Sequence, residues 1–240
     1  MDAQMIPSAS PRSRRFKLIN KAFHRNYEFI HDDGTHKGKT PLFVIDTSVF
    51  TPRKPDITLH RGPDDGPSSP AVACCYIPSM TRTFRVGLGD AVNAQELVRW
   101  EEMRQKGLSM ARFAWSMNLP GGERPELMWK RTSHHAVDGK KANALSSRNW
   151  KLVKVGDGPD AARDLQDDSI SDEHDPKTGE ILAVFTSAGG ITTVCGTLQV
   201  NVDWGSAFDY MVLVTLVAMY ERLKRSRHNS GGGGGGGGGG

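Results

Sequence analysis

The sequence has few cysteines, and their arrangement excludes a disulfide framework. The 240 residues include three, Cys74, Cys75 and Cys195, and an odd count with two adjacent members fits no regular pairing pattern. The chain also lacks an Asn-x-Ser/Thr sequon, and its N-terminus lacks the apolar segment of a secretory signal. These absences predict an intracellular protein, in the cytoplasm or peripheral at a membrane. The basic cluster Arg12–Arg15 makes the nucleus an alternative, and the acid-poor N-terminus also fits a mitochondrial transit peptide.

Long apolar runs are scarce as well. Hydrophobic residues make up 37% of the chain. The run at 207–220 has about 14 residues, fewer than the roughly 20 that a membrane-spanning helix needs. We therefore expect no transmembrane segment. The net charge of +4 is too small to indicate nucleic acid as a partner.

Three segments combine strong polarity with very few apolar residues. Residues 1–25 are basic and rich in Ser, Pro and Arg near the start, 157–179 are acidic, and 229–240 end in a run of glycine. Such compositions bury too little apolar surface to offset the chain entropy lost on ordering. We predict a disordered basic N-terminus, a mobile acidic insert and a disordered glycine tail. They flank or interrupt one domain at 26–228.

The motifs of nucleotide, hydrolase and metal sites are missing. Gly34 and Gly38 are separated by three residues, where a P-loop needs four. No Gly-x-Ser-x-Gly motif occurs, and the acidic insert lacks the glycine and the spacing of an EF-hand loop. We therefore expect no catalytic residues, no metal and no cofactor. An enzyme whose catalytic groups come from distant positions in the sequence would show no such motif. This is the least favoured alternative.

About ten short runs alternate between apolar and polar residues or are rich in β-branched residues. They lie at 27–31, 42–49, 57–59, 72–77, 82–86, 113–117, 127–132, 150–155, 181–186 and 197–202. Gly- and Pro-rich turns separate them, and no βαβα alternation is present. This pattern predicts an antiparallel barrel or sandwich.

One short internal helix is predicted between these strands. Asn93 is a suitable N-cap, and Glu96 stands at the capping-box position three residues later. Val92 and Leu97 occupy the positions of a hydrophobic staple, and Gly107 is a suitable terminator after Lys106.

The run at 207–220 is apolar on nearly every face. Ser206 is a suitable N-cap, Asp209 falls in the first turn, and Lys224 and Arg225 suit a helix C-terminus. A helix without a polar face must be surrounded by protein or lipid. We predict that Phe208–Tyr220 is a helix buried within the domain.

The last third of the chain resembles the Tubby C-terminal-like superfamily, which includes LURP-one-related and phospholipid scramblase proteins. The residues that carry the resemblance are Glu180–Phe185, Gly196–Asp203 and Trp204–Tyr210 leading into the apolar run, with weaker likeness at Leu127–Thr132 and Ser147–Leu152. The resemblance implies a closed antiparallel barrel of about 10–12 strands around a C-terminal apolar helix. It also implies phosphoinositide or membrane contact in some members. The cysteine cluster, the calcium motif and the membrane-length final helix of scramblases are not present.

The function expected from these observations is binding rather than catalysis. Basic residues cluster between Lys130 and Lys154, and we predict that Lys130, Arg131, Lys140 and Lys141 contact the headgroups of anionic phospholipids such as phosphoinositides. Strand alternation would place Lys130 on one face and Arg131 on the other, so not all of these residues can share one patch. The alternative is an intracellular protein-interaction domain that has no lipid role and whose partners the sequence does not identify.

Overall fold

The computed structural model describes residues 13–20, 26–32, 40–48, 51, 53–62, 69–79, 81–141, 146–156, 180–188 and 193–231, with backbone alone for 227–231. Within these residues twelve strands follow one another along the chain. They are β1 Arg14–Asn20, β2 Asn26–His31, β3 Phe43–Thr47, β4 Ile57–Arg61, β5 Ala71–Tyr76, β6 Thr83–Leu88, β7 Arg99–Lys106, β8 Arg112–Ser116, β9 Glu126–Arg131, β10 Trp150–Lys154, β11 Ile181–Ser187 and β12 Val194–Val200. One helix, α1, follows at Ser206–Gly231.

The strands form a closed antiparallel barrel in simple sequential order. Each strand pairs with its neighbours in the chain, and β1 closes the barrel by pairing with both β12 and β2. Phe16, for example, stands opposite Leu198 on one side and His31 on the other. Closure leaves no sheet edge open to another chain. The predicted fold class is confirmed.

Helix α1 runs through the interior of the barrel. Leu213, Leu216 and Val217 are at most 1% exposed, and the helix packs into one core with inward-facing strand residues such as Phe113 and Trp129. The Trp129 indole N–H donates to the Thr215 hydroxyl at 3.0 Å. Thr215 is the one polar residue between Met211 and Met219, and its hydroxyl is thereby hydrogen-bonded. The barrel supplies the protein surroundings that an apolar helix requires. The predicted buried helix is confirmed, and it continues beyond Tyr220.

The predicted internal helix is reduced to a single 3-10 turn. The structure has a 3-10 turn at Gln95–Leu97, and the rest of the segment is β7, in which Met103 and Gln105 are buried while Glu102 and Arg104 are exposed. Asp90, not Asn93, satisfies the backbone of this loop, since its Oδ1 accepts from the N–H groups of Val92 and Asn93 at 2.9 and 3.0 Å. Pairing with β6 and β8 outweighs the local helix signals.

The predicted disorder of the N-terminus is wrong for β1. Phe16 and Leu18 are buried and pair into the sheet, and the basic residues around them obscured this short apolar alternation. Except at Ser13, the rest of the prediction for 1–25 falls outside the described residues. The acidic insert at 157–179 also lies outside them. Of the predicted glycine tail, 229–231 belong to the last turn of α1, and the remainder lies outside the described residues.

Gly196 provides a test of how tightly the barrel wall is packed. A Cβ at this position would lie 2.5 Å from both the Thr186 carbonyl oxygen and the Phe185 ring. Gly196→Ala is therefore expected to lower the free energy of unfolding by about 1–3 kcal/mol, the usual cost of overpacking, as measured by urea denaturation. Gly156→Ala is the control, because no atom lies within 4 Å of its added Cβ. Equal stability of the two variants would contradict this account.

Candidate functional site

The two ends of the barrel carry opposite charge. Because the strands alternate in direction, the β3–β4, β5–β6 and β7–β8 connections lie at the end where α1 leaves the barrel. We call this the basic end, after its cations Arg53, Lys54, Arg82, Arg148, Arg222, Lys224 and Arg225. Among the described residues of these three connections, of the β9–β10 connection that carries Arg148 and of α1 from Glu221 to Arg225, the acids are Asp56, Asp138 and Glu221. The acids thus leave most of the positive charge at this end uncompensated.

The opposite end, where α1 begins, is acidic. Its described connections and the first turn of α1 carry Asp32, Asp90, Glu96, Glu123, Glu180, Asp203 and Asp209, with Arg124 as their cation. The protein is therefore electrically polar along the axis of the barrel. A charge distribution of this kind orients a protein in the field of a charged surface.

Helix α1 is tied to the loops of the basic end by two arginines. The Arg222 guanidinium donates to the carbonyl oxygens of Pro78 at 3.1 Å and of Thr81 at 3.4 Å. These acceptors carry no charge, so the bonds do not offset the positive charge of the guanidinium. Arg225 donates to an Asp56 carboxylate oxygen at 2.8 Å, which joins the helix to the β3–β4 connection.

A buried polar cluster lies beneath these arginines. Glu221 is 4% exposed, accepts a hydrogen bond from the Tyr27 hydroxyl and lies 3.3 Å from the Lys224 ammonium. Burial, reinforced by the neighbouring Glu221 carboxylate, raises the pKa of Tyr27, so the phenol stays protonated. Arg148 lies over the Tyr220 ring, 4.6 Å from its centroid, and donates to its hydroxyl at 2.8 Å.

The cysteines do not provide a nucleophile. Burial raises the pKa of Cys74 to about 12 and also raises the pKa values of Cys75 and Cys195. All three side chains are buried and reduced. Thiols of this kind behave as core residues, because the reactive species is the thiolate.

The side chains best placed to meet a ligand at the basic end are Arg53, Lys54 and Arg82, all of which are exposed. Arg53 and Lys54 belong to the β3–β4 connection, and Arg82 belongs to the β5–β6 connection. Since α1 is bonded to both connections through Arg222 and Arg225, these cations surround the exit of the helix. These three residues were not predicted from the sequence to contact a ligand.

The structure does not bring the four predicted headgroup residues to one face. Lys130 lies opposite Arg112 and Lys151 in the sheet register. Arg131 is on the other face of the strand, with its guanidinium 5.9 Å from the centroid of the Trp150 ring in the core. Strand alternation separates the two, as their adjacency in sequence indicates.

Lys140 and Lys141 are also apart from the basic end. The β9–β10 connection folds back along the outside of the barrel, where the Val137 N–H donates to the Thr186 hydroxyl at 2.9 Å. Lys140 donates to the Thr197 hydroxyl and lies 3.6 Å from the Asp32 carboxylate, while Lys141 is exposed. Lys140 is thus held by groups of its own chain, and its partner Asp32 also lies 2.9 Å from the Lys17 ammonium.

A shallow groove of about 340 Å³ lies on the outer wall along β7, β8 and the start of β9. Its charged side chains pair with one another. Arg104 lies 2.5 Å from Glu102, Arg124 lies 2.5 Å from Glu101, and Lys106 lies 4.0 Å from Glu126. The groove therefore carries no excess charge with which to select an ionic ligand.

Two features are absent from the part of the chain that the structure describes. None of its helices has the length and apolar character required to cross a membrane. No group of three or more His, Cys, Asp or Glu side chains is placed to hold a metal ion in that part. No protein-family model, curated protein or solved structure matches the chain.

Proposed function

We propose that this protein is a non-enzymatic binding module that docks on anionic membrane lipids, phosphoinositides included, through the basic end of its barrel. The observation that carries the proposal is the charge polarity along the barrel axis, with exposed Arg53, Lys54 and Arg82 around the helix exit. The proposed ligand is the one that the sequence predicted, but the proposed lipid contact lies at the end of the barrel and not on its wall. We also propose kinship with the Tubby C-terminal-like superfamily, supported by the closed twelve-strand barrel around its C-terminal helix.

The expected affinity is weak and depends on salt. Each Lys or Arg near an anionic bilayer contributes about 1 kcal/mol. Arg53, Lys54, Arg82 and Arg222 together supply about 4 kcal/mol, which corresponds to a dissociation constant in the millimolar range. Exposed charges are screened over about 8 Å at physiological ionic strength, so binding falls steeply as salt rises. The guanidinium groups of the arginines suit bidentate contact with phosphate.

The test is sedimentation with vesicles that contain phosphatidylserine and phosphoinositides, compared with neutral phosphatidylcholine vesicles. The triple variant Arg53→Ala/Lys54→Ala/Arg82→Ala is expected to bind the anionic vesicles about 100-fold more weakly, since it loses three contributions of about 1 kcal/mol. Its melting temperature should not change, because the three side chains are exposed.

Two controls locate the contact. Arg99→Ala/Arg124→Ala/Lys154→Ala removes the same charge from the acidic end of the barrel, and it should bind nearly as well as the wild type. Lys130→Ala/Lys141→Ala tests the placement that the sequence predicted. If that variant loses more affinity for anionic vesicles than the triple variant does, the lipid contact lies on the barrel wall. If the wild-type protein ignores anionic vesicles even at low salt, the lipid proposal fails, and the protein-interaction role takes its place.

A further inference from the structure

Three large apolar side chains are strongly exposed among the described residues. Val92 is 54% exposed, Leu97 is 74% exposed and Leu108 is 75% exposed. Single exposed apolar residues are ordinary on protein surfaces, so exposure alone carries no meaning. Their positions differ, however. Val92 and Leu97 lie in the β6–β7 connection at the acidic end, whereas Leu108 lies in the β7–β8 connection at the basic end.

Leu108 stands next to the cations around the helix exit. Strands β6 and β7 are paired from Thr83 opposite Arg104, and the Gln105 N–H donates to the Arg82 carbonyl at 2.8 Å. The β7–β8 turn is therefore the direct neighbour of the β5–β6 connection that carries Arg82. The five residues of the turn, Gly107–Ala111, carry no charge. An uncharged tip thus borders a cationic surface.

The turn holds Leu108 outward in a defined position. Gly107 has φ 74° and Met110 has φ 50°, so the chain reverses sharply on either side of Leu108 and Ser109. Met110 packs against the barrel core, which anchors the C-terminal side of the turn. Leu108 and Ser109 are left exposed between these two fixed points.

We propose that Leu108 is a membrane-penetrating residue, which enters the boundary between headgroups and acyl chains when the basic end docks on an anionic bilayer. This inference rests on the proposed function and deepens it. Cations bring the barrel end to the headgroup layer, and an apolar side chain at that level gains by leaving water. Transfer of apolar surface is not screened by salt. Leu108 therefore supplies the part of the affinity that survives at high ionic strength.

The test compares two leucines of nearly equal exposure at opposite ends of the barrel. Leu108→Ser is expected to weaken binding to anionic vesicles about tenfold, which is the order expected from losing the transfer of one leucine side chain out of water. Leu97→Ser, the matched control, should bind as the wild type does. The difference between Leu108→Ser and the wild type should persist at high salt.

The depth to which residues 108 and 97 enter the bilayer can be measured directly by labelling each position. Leu108→Cys and Leu97→Cys can be coupled to a polarity-sensitive fluorophore, because the native cysteines are buried and their thiols are poorly reactive. With anionic vesicles present, the label at 108 should shift its emission to the blue and be quenched by spin-labelled acyl chains, and the label at 97 should do neither. Intact vesicle binding without these changes at 108 would overturn this inference and leave the proposed function standing. Absence of vesicle binding would overturn both.

Discussion

Replacing Leu213 with aspartate is expected to leave the chain unable to fold. Leu213 is 1% exposed in the part of α1 that the barrel encloses. The carboxylate would be buried among apolar side chains, and the cost, several kcal/mol or more, is comparable to the whole stability of a typical domain. We expect the variant to be insoluble on expression, or to lack a cooperative transition in urea and in thermal melting.

Two controls and a truncation separate burial from a general effect of substitution. Leu97→Asp places the same charge at a residue that is 74% exposed and should change stability by less than about 0.5 kcal/mol. Leu213→Met conserves volume and should cost less than about 1.5 kcal/mol. A chain that ends at Trp204 lacks α1 and should also be insoluble. Soluble truncated protein with a cooperative melt would show that the helix is not required by the barrel.

Most of the strands and the helix were predictable because their patterns are strong and local. In β8, Phe113 and Trp115 face the core, as their alternation with polar or small residues predicts. Helix α1 was predictable because an apolar helix without a polar face must be surrounded by other parts of the protein or by lipid. The helix begins at Ser206, near the N-terminus that the sequence indicated, and the Gly205 carbonyl oxygen accepts from the Asp209 N–H at 3.2 Å.

The two elements that escaped prediction depend on partners distant in sequence. Strand β1 has a short apolar alternation among basic residues, and it becomes a strand because β12, nearly the whole chain away, offers a pairing edge. In β7, the buried residues Met103 and Gln105 follow the period of two that is typical of a strand. The cap signals around Asn93 and Glu96 favoured a helix instead. Both segments become strands because the barrel closes around them. The residues that pair on closure are too far apart in the sequence to appear together in a short segment.

The candidate site was less predictable than the fold. A run of basic residues in the sequence predicts one charged surface, although alternation along β9 separates Lys130 from Arg131. The cations of the basic end come instead from connections that are far apart in sequence, such as those with Arg53 and Arg82, and from the end of α1. Only the strand order shows that these connections share one end of the barrel.

The unexpected strand β1 carries an ion pair that holds the start of α1. The Arg14 guanidinium donates to the Asp209 carboxylate and, at 2.7 Å, to the Val202 carbonyl oxygen. The Asp209 side chain is 14% exposed, so it depends on this partner. Arg14→Ala is expected to lower the free energy of unfolding at neutral pH by about 2–3 kcal/mol. This lies just below the range for breaking a fully buried pair, because Arg14 is one-third exposed.

The dependence of this loss on pH identifies its cause. Burial raises the pKa of Asp209, and the positive charge of Arg14 opposes that rise. In Arg14→Ala the folded-state pKa rises further above the unfolded value, so the folded state binds the proton more tightly than the unfolded state does. Stability of the variant then falls as pH rises through the folded-state pKa and is regained on acidification. Melting curves of the variant and the wild type should converge as pH is lowered toward about 4, the ordinary pKa of an aspartate. Arg14→Ala/Asp209→Asn should recover much of the loss and remove its pH dependence, whereas a deficit that is constant with pH would mean that Arg14 acts through packing and its bond to the Val202 carbonyl, not through Asp209.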